Sequence, residues 1–316
     1  MLAQDFFTLL QAKALSIIVD NAALIPLCKN YASNVFHYTE FDFQQHHAAL
    51  LLSSSLAFAK GDLKKIIVSH QSKVMLFPLA KHAFARGEQD DFFRLIDYSL
   101  CALTRVDAAS CFSAVQKLKA QLSSGISLFS NSTQVALIID VHAVSALAIS
   151  DSVRWSETWS PYALLEYALF QTAESKCFII NGVCQFQAIL VSGDSETDAT
   201  REAKNKLIRN SNASEISYLE IKNNEIVVLM IDRVDVTYLL DAMGVGRSVV
   251  EIAFGVNQQL QQQLNRCINS PMNEGIFGMH VGVGTGKNTY HIDFILPGVD
   301  FSHFQIQPLE HCSYAA

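Results

Sequence analysis

The chain has little of what builds flexible or extended proteins. Of its 316 residues only 14 are glycine and 6 are proline, which excludes a collagen-like repeat and a linker-dominated chain. Charge is sparse at 17%, whereas 50% of residues are hydrophobic and 10% aromatic. That apolar supply fills a sizeable core and excludes intrinsic disorder. No lysine- or arginine-rich block exists: Asp62 interrupts Lys60–Lys65 and Glu202 interrupts Arg201–Arg209. With 23 basic against 30 acidic residues, a net charge of −7, the phosphate-binding footprint of a nucleic-acid binder is missing.

The seven cysteines (28, 101, 111, 177, 184, 267 and 312) are odd in number and scattered, with no CxxC pair. Neither a zinc knuckle nor a disulfide framework is signalled, so a reducing cytoplasm is the expected home. The longest apolar stretch, Ala48–Ala59, is interrupted by Ser53, Ser54 and Ser55 and is too short to cross a bilayer. Asp5 precedes the first lysine, Lys13, unlike the basic start of a signal peptide. The expectation is a soluble cytoplasmic protein with neither nucleic acid nor membrane as partner.

The length suits one large domain or two ordinary ones. Up to residue 123 the sequence reads as mainly helical or α/β. Leu9, Leu10, Leu15 and Ile18 recur at helical spacing, as do Phe92, Phe93, Leu95, Ile96 and Leu100, while Ile66–Val68 and Val74–Pro78 fit strand or buried helix equally. After Ser123-Ser124-Gly125 short β-rich runs dominate: Ile126–Phe129, Val135–Val141, Phe178–Ile180, Phe186–Val191 and Ile226–Ile231. Turn signals at Asn131-Ser132, Asn181-Gly182, Gly193-Asp194 and Asn223-Asn224 separate them. Helices are expected over Asp198–Asn210, Val234–Met243 and Asn257–Ile268. The fold class expected is an α/β N-terminal domain, 1–123, followed by a β-rich α+β C-terminal domain, 124–316.

Candidate ligands concentrate near the end, in VVEIAFG (249–255), Asn273-Glu274-Gly275, GMHVGVG (278–284) and YHIDF (290–294). In an extended strand residues i and i+2 share a face, so His291 and Asp293 point the same way. His280 and Glu251 sit in comparable apolar runs, and neighbouring strands can bring them to the same ion. Each residue read alone is equally a hydrogen-bonded strand side chain. A mixed histidine and carboxylate set suits zinc, cobalt, manganese or iron. The glycine-rich Gly282–Asn288 lacks the first glycine and the final Ser or Thr of a phosphate loop and reads as a turn between strands. Met243-Gly244-Val245-Gly246 reads as a helix C-cap. His37, His46, His47, His70, His82 and His142 have no suitably spaced partners and read as structural or surface groups; Trp155 and Trp159, beside Arg154, read as a loop packed on the core. Cys177 and Cys184 flank the expected turn at Asn181-Gly182 and read as small core residues.

The string GMHVGVGTGKNTYHIDF, preceded by VVEIAFGVN and NEG, resembles the C-terminal signature of M29-type metallo-aminopeptidases. The resemblance implies that Glu251, His280, His291 and Asp293 hold metal and that Glu274 handles the catalytic water. It also implies that Glu166, in LEYALFQTA, bridges two ions once a two-residue gap is allowed. Zinc, cobalt or manganese is implied ahead of iron, because Glu251 stands where a ring-opening iron branch of the fold has histidine. A homodimer acting on a peptide or small amide is likewise implied. The loop between the His280 and His291 strands is shorter than in that family, which leaves a second reading open: a catalytically silent scaffold that presents a peptide to partner enzymes in natural-product maturation.

Overall fold

The computed structural model describes residues 3–42, 49–63, 66, 74–86, 89–143, 161, 164–172, 175–261, 263–285 and 289–309. His46-His47, His70, the segment with Arg154, Trp155 and Trp159, Gly286–Asn288 and Cys312 lie outside those residues. Among the described residues the chain folds as a mixed α/β protein with three sheets. The first holds β1 (Ser16–Val19), β2 (Asn34–His37), β3 (Ala49–Ser53) and β4 (Val74–Pro78), all parallel, in the order β2-β1-β3-β4. SIIV and ALLLS are buried throughout, as strands covered on both faces require. Around them run α1 (Ala3–Gln11), α2 (Ile25–Cys28), α3 (Leu56–Lys60), α4 (Ala80–Arg86), α5 (Gln89–Leu103) and α6 (Ala108–Gln121).

Two details of this part decide later arguments. The helical spacing that reaches Leu15 and Ile18 is misleading, because α1 stops at Gln11 and Lys13 takes a left-handed φ of 55°. Ile18 belongs to β1. The strand order reverses between β1 and β3, where open parallel sheets commonly hold nucleotides. Here the Asp20 carboxylate occupies that crevice, accepting from the backbone N–H of Ser54 (2.8 Å) and Ser55 (2.7 Å) and from the Ser54 hydroxyl.

The remaining strands are antiparallel. One sheet of seven, ordered β12-β11-β10-β8-β6-β5-β16, combines β5 (Ile126–Asn131), β6 (Val135–Val141), β8 (Phe178–Phe186), β10 (Ser217–Lys222), β11 (Glu225–Ile231), β12 (Val234–Asp235) and β16 (Gln305–Pro308). Asn223 and Asn224, both at positive φ, form the β10–β11 turn that Asn tolerates. Asn181-Gly182, by contrast, is no turn. It lies inside β8, and Gly182 is needed because a Cβ there would stand 2.0 Å from the Ala136 carbonyl oxygen of β6. Cys177 and Cys184 are nevertheless buried in the core, and the described cysteines are free thiols.

The third sheet, β7-β13-β14-β15-β9, contains β7 (Glu166–Phe170), β9 (Ala188–Gly193), β13 (Val249–Gly255), β14 (Gly278–Val283) and β15 (Tyr290–Pro297). Three helices intervene: α7 (Asp198–Ala213), α8 (Tyr238–Ala242) and α9 (Gln258–Gln261). The last two are shorter than their apolar spacing suggests. Val234 and Asp235 pair with β11 instead, and the chain beyond α9 turns through Asn265, whose carboxamide oxygen accepts the Cys267 N–H. Met243 is the C-cap of α8, and Gly244, at φ 68°, follows it as the left-handed glycine that ends the helix. One large apolar core runs from Phe6 to Phe304, joining the parallel sheet to the antiparallel ones. Among the described residues no helix is long and apolar enough to cross a membrane.

Candidate metal centre

Strand alternation gives the third sheet two unlike faces. Ile252, Phe254, Val281, Ile292 and Phe294 point into the core. On the opposite face, pairing aligns Phe170, Glu251, Gly282 and Asp293 in one row across β7, β13, β14 and β15. The next row is Ala168, Ala253, His280 and Ile295, and Gly255 pairs with Glu166 beyond it. Pairing of His291 with Ser192 brings β9 to the same edge. Alanines and glycines separate the polar groups across the sheet, which lets these side chains crowd together. At Gly282 the packing is closest, since a Cβ would stand 2.9 Å from Asp293 Oδ1, Glu251 Cβ and His291 Cε1 alike.

The six residues singled out from the sequence meet on this face. His280 Nε2 lies 3.2 Å from Glu251 Oε1 and 3.8 Å from Glu166 Oε2. His291 Nε2 lies 3.2 Å from Glu251 Oε2 and 2.8 Å from Asp293 Oδ1. Glu251, His280 and Asp293 are buried and offer donor atoms within 4.8 Å of one another, a set that could hold a metal ion. Glu274 comes from the turn after Pro271–Asn273, and its carboxyl feels Asp293, Glu166, His280 and Glu251. Helix α5 anchors that turn: Tyr98 donates to Asn273 Oδ1 (2.6 Å), and the Ser99 and Ser270 hydroxyls pair at 2.7 Å.

Burial and mutual charge unbalance these groups strongly. Burial lifts the Glu166 carboxyl to about 8, with Glu251 and Asp293 adding to the rise. Burial, then Asp293 and Glu166, hold Glu274 well above the carboxylate range. For Glu251 burial is outweighed by hydrogen bonds with His280 and His291, which keep it at about 2. The imidazoles answer in kind: burial opposes their charge, yet Glu251 and its neighbours raise His280 to about 10, and Asp293 and Glu251 raise His291 well above 6.5. In the metal-free protein, protons therefore do the work of neutralising crowded carboxyls.

Two observations test the donor set against a cation. Glu166 Oε2 is buried with no hydrogen-bond partner, an acceptor left open beside His280. The other concerns His291, whose Nδ1 lies 2.6 Å from the Gly284 carbonyl oxygen. A carbonyl only accepts, so Nδ1 carries a proton there in either charge state, and Nε2, which donates to Asp293 and Glu251 while the ring is charged, is the nitrogen freed when that second proton leaves. That backbone contact fixes the tautomer a metal ligand needs. Hard carboxylate oxygens with two imidazoles suit a divalent metal such as zinc, cobalt, manganese or iron. The Gly284 contact is absent from the sequence reading, although a glycine at φ 79° in a tight turn between two candidate strands is its signal.

Residues 12–304 match the family model described as crocagin biosynthetic protein CgnE/B. The chain belongs to the CgnE/B family. Among solved structures, this CgnE/B-family chain is similar to wild-type AmpT from Thermus thermophilus, at 12% identity and TM-score 0.45, covering 94% of this chain and 92% of that one. It is also similar to 2,5-dihydroxypyridine dioxygenase from Pseudomonas putida KT2440, at 11% identity and TM-score 0.47, covering 97% and 93%. No curated protein sequence matches it.

Proposed function

We propose that the chain is a metal-dependent hydrolase acting on a peptide or small amide through a metal-activated water. The observation that carries this reading is the convergence of six ionisable side chains on one sheet face, with the Glu166 oxygen left unpartnered among them. Glu251, His280, His291 and Asp293 would hold the ion and Glu166 would reach a second position beside it. A bound divalent cation would acidify a water and polarise a carbonyl. Glu274, whose carboxyl senses Asp293, Glu166, His280 and Glu251, would take a proton from that water once the cation has displaced its own, and return it to the leaving amine. Gly284 orients His291, and Gly282 lets Glu251, His291 and Asp293 crowd together.

Elemental analysis of the purified protein, with hydrolysis of a panel of aminoacyl-4-nitroanilides, tests the proposal. About one or two equivalents of zinc, cobalt or manganese are expected per chain, lost with activity in His291→Ala. A protein free of all these metals and of iron, unchanged by the substitution, would sink it.

Membership of a family described as biosynthetic favours a second reading, a silent scaffold presenting a peptide to partner enzymes. Calorimetry separates the two. Peptide binding indifferent to EDTA supports the scaffold, whereas binding lost with EDTA supports the metal centre.

A further inference from the structure

Phe254 points to the side of the third sheet away from Glu251 and His280, and there it lines a cavity of about 640 Å³. The cavity lies between α6 and the end of β13, where the chain runs on into α9. Cys111, Phe254, Val256, Asn257 and Phe301 form its buried floor. Ser110, Ser113, Lys117, Gln258 and Gln259 form an exposed rim. Helical spacing makes one side of that rim, since Ser110, Ser113 and Lys117 share a face of α6. At the floor Phe254 and Phe301 meet edge to face, their ring centroids 5.5 Å apart. The volume suits a small molecule, for which sites run from roughly 300 to 1,000 Å³.

Asn257 is the hydrogen-bonding group of the floor. It is 1% exposed, and its backbone is held on both sides: its N–H donates to the Gly275 carbonyl (2.9 Å) and its carbonyl accepts the Phe277 N–H (3.0 Å). Its carboxamide oxygen accepts the Gln259 N–H (3.2 Å), which turns the nitrogen of the same carboxamide away from α9. That Nδ2 is buried with no partner. A buried donor left unpaired is costly, and a matching acceptor removes the cost. The charges of the lining lie apart from it and are mostly taken. Asp107 accepts the Ser110 N–H (3.1 Å) and hydroxyl (2.7 Å), and Asp300 accepts the Ser302 N–H (3.0 Å) and hydroxyl (2.5 Å) beside His303. Lys117 is an exposed rim ammonium, whose pull water screens. An ion drawn down onto phenylalanine rings and a neutral amide would lose its hydration without a counter-charge. An uncharged carbonyl loses far less and answers the free donor.

We propose that this cavity is a second ligand site, which takes a small uncharged aromatic carbonyl compound with its ring against Phe254 and Phe301 and its oxygen on Asn257 Nδ2. An aromatic body is favoured over an aliphatic one because a third ring adds an edge or offset contact to the pair already there. The site shares no side chain with the metal centre and does not depend on it.

Benzamide is titrated into the EDTA-treated, 15N-labelled full chain and followed by 15N–1H spectra, with toluene, benzoate and benzylamine as comparisons. The Asn257 side-chain amide signals should move with benzamide. Toluene, which lacks the oxygen, should bind about tenfold more weakly, the worth of one buried hydrogen bond, and the two ions should bind more weakly than benzamide as well. Asn257→Asp keeps the oxygen that accepts the Gln259 N–H and removes the donor, so benzamide should lose about tenfold there while toluene is unaffected. Ser113→Trp, a change at the exposed rim, should fill the cavity and abolish binding of both. Absence of benzamide binding, binding that leaves the Asn257 amide signals still, equal affinity for toluene or for either ion, or binding intact in Ser113→Trp overturns the proposal. If Asn257→Asp does not fold, the wild-type comparison of benzamide with toluene decides the role of the carbonyl by itself. Every arm is metal-free, so the outcome leaves the metal-centre reading untouched.

Discussion

Substituting Gly282 with alanine puts the site's geometry to its most direct trial. The added methyl would stand 2.9 Å from Asp293 Oδ1, Glu251 Cβ and His291 Cε1, where ordinary carbon contacts need about 3.5–4.0 Å. Each neighbour must therefore retreat by more than half an ångström, roughly. None can do so cheaply, since Gly282 pairs with Glu251 on one side and Asp293 on the other, and both of these side chains are buried. Overpacking of this kind costs about 1–3 kcal/mol, and three simultaneous contacts place Gly282→Ala toward the upper end. For a chain of this size that lowers Tm by roughly 3–5 °C in a thermal melt. Spreading the donors should also weaken zinc binding at least tenfold, as loosened ligand positioning does elsewhere. Gly125→Ala is the control: its φ of 78° strains the backbone, but nothing lies within 4 Å of the new methyl, so zinc affinity should stay put. A Gly282→Ala protein with wild-type Tm and wild-type zinc affinity would refute the crowding on which the site description depends.

Two further predictions draw on charge. Lys204 is 1% exposed, with its Nζ 2.6 Å from Glu196 Oε1; Lys204→Met strands that carboxylate, but Arg201 (2.5 Å) and Tyr290 (2.5 Å) still hold it. The loss should therefore fall at the low end for a broken buried pair, about 3 kcal/mol in urea unfolding, and a variant as stable as wild type would contradict the pairing. The metal-free protein should lose stability as pH rises from 7 to 10. Glu166 at about 8 and His280 at about 10 both bind protons more tightly folded than unfolded, so their contributions, complete below about 4.5 and 6.5, are lost as pH passes the folded values. Zinc uptake displaces those protons and should strengthen over the same range until the cluster is deprotonated; a flat pH profile of chemical unfolding would count against the protonated cluster.

How much of this was readable beforehand depended on the range of the interactions involved. His291 and Asp293 share a face through period-two geometry alone, and the buried runs around Glu251 and His280 announced strands, so the cluster could be listed from the sequence. The row Glu251, Gly282 and Asp293 was not legible, because strand order and register are set across stretches of 31 and 11 residues by pairing that no local pattern encodes. The same limit explains Asn181-Gly182, whose turn chemistry was overridden by the close approach of β6. It explains Leu15 and Ile18, where helical spacing continued by coincidence into a parallel strand.

Physical economy then weighs on the choice between hydrolase and scaffold. Burying four carboxyls beside two imidazoles is costly unless each charge is paired. The cluster manages that only by holding protons on Glu166, Glu274 and both histidines, and it still leaves the Glu166 oxygen and the His280 Nδ1 without partners. A sheet face needed only for peptide docking gains nothing from this, because apolar residues of similar volume would pack there at less cost. A divalent cation would replace the protons, and under the proposed reading it would give the open Glu166 oxygen a ligand role. Substituting Glu166 with glutamine separates the cases: it keeps the volume and removes the charge. Under the scaffold reading the metal-free protein should be unharmed or stabilised and peptide binding kept. Under the hydrolase reading zinc stoichiometry or affinity should fall, because the carboxylate that completes the site has gone.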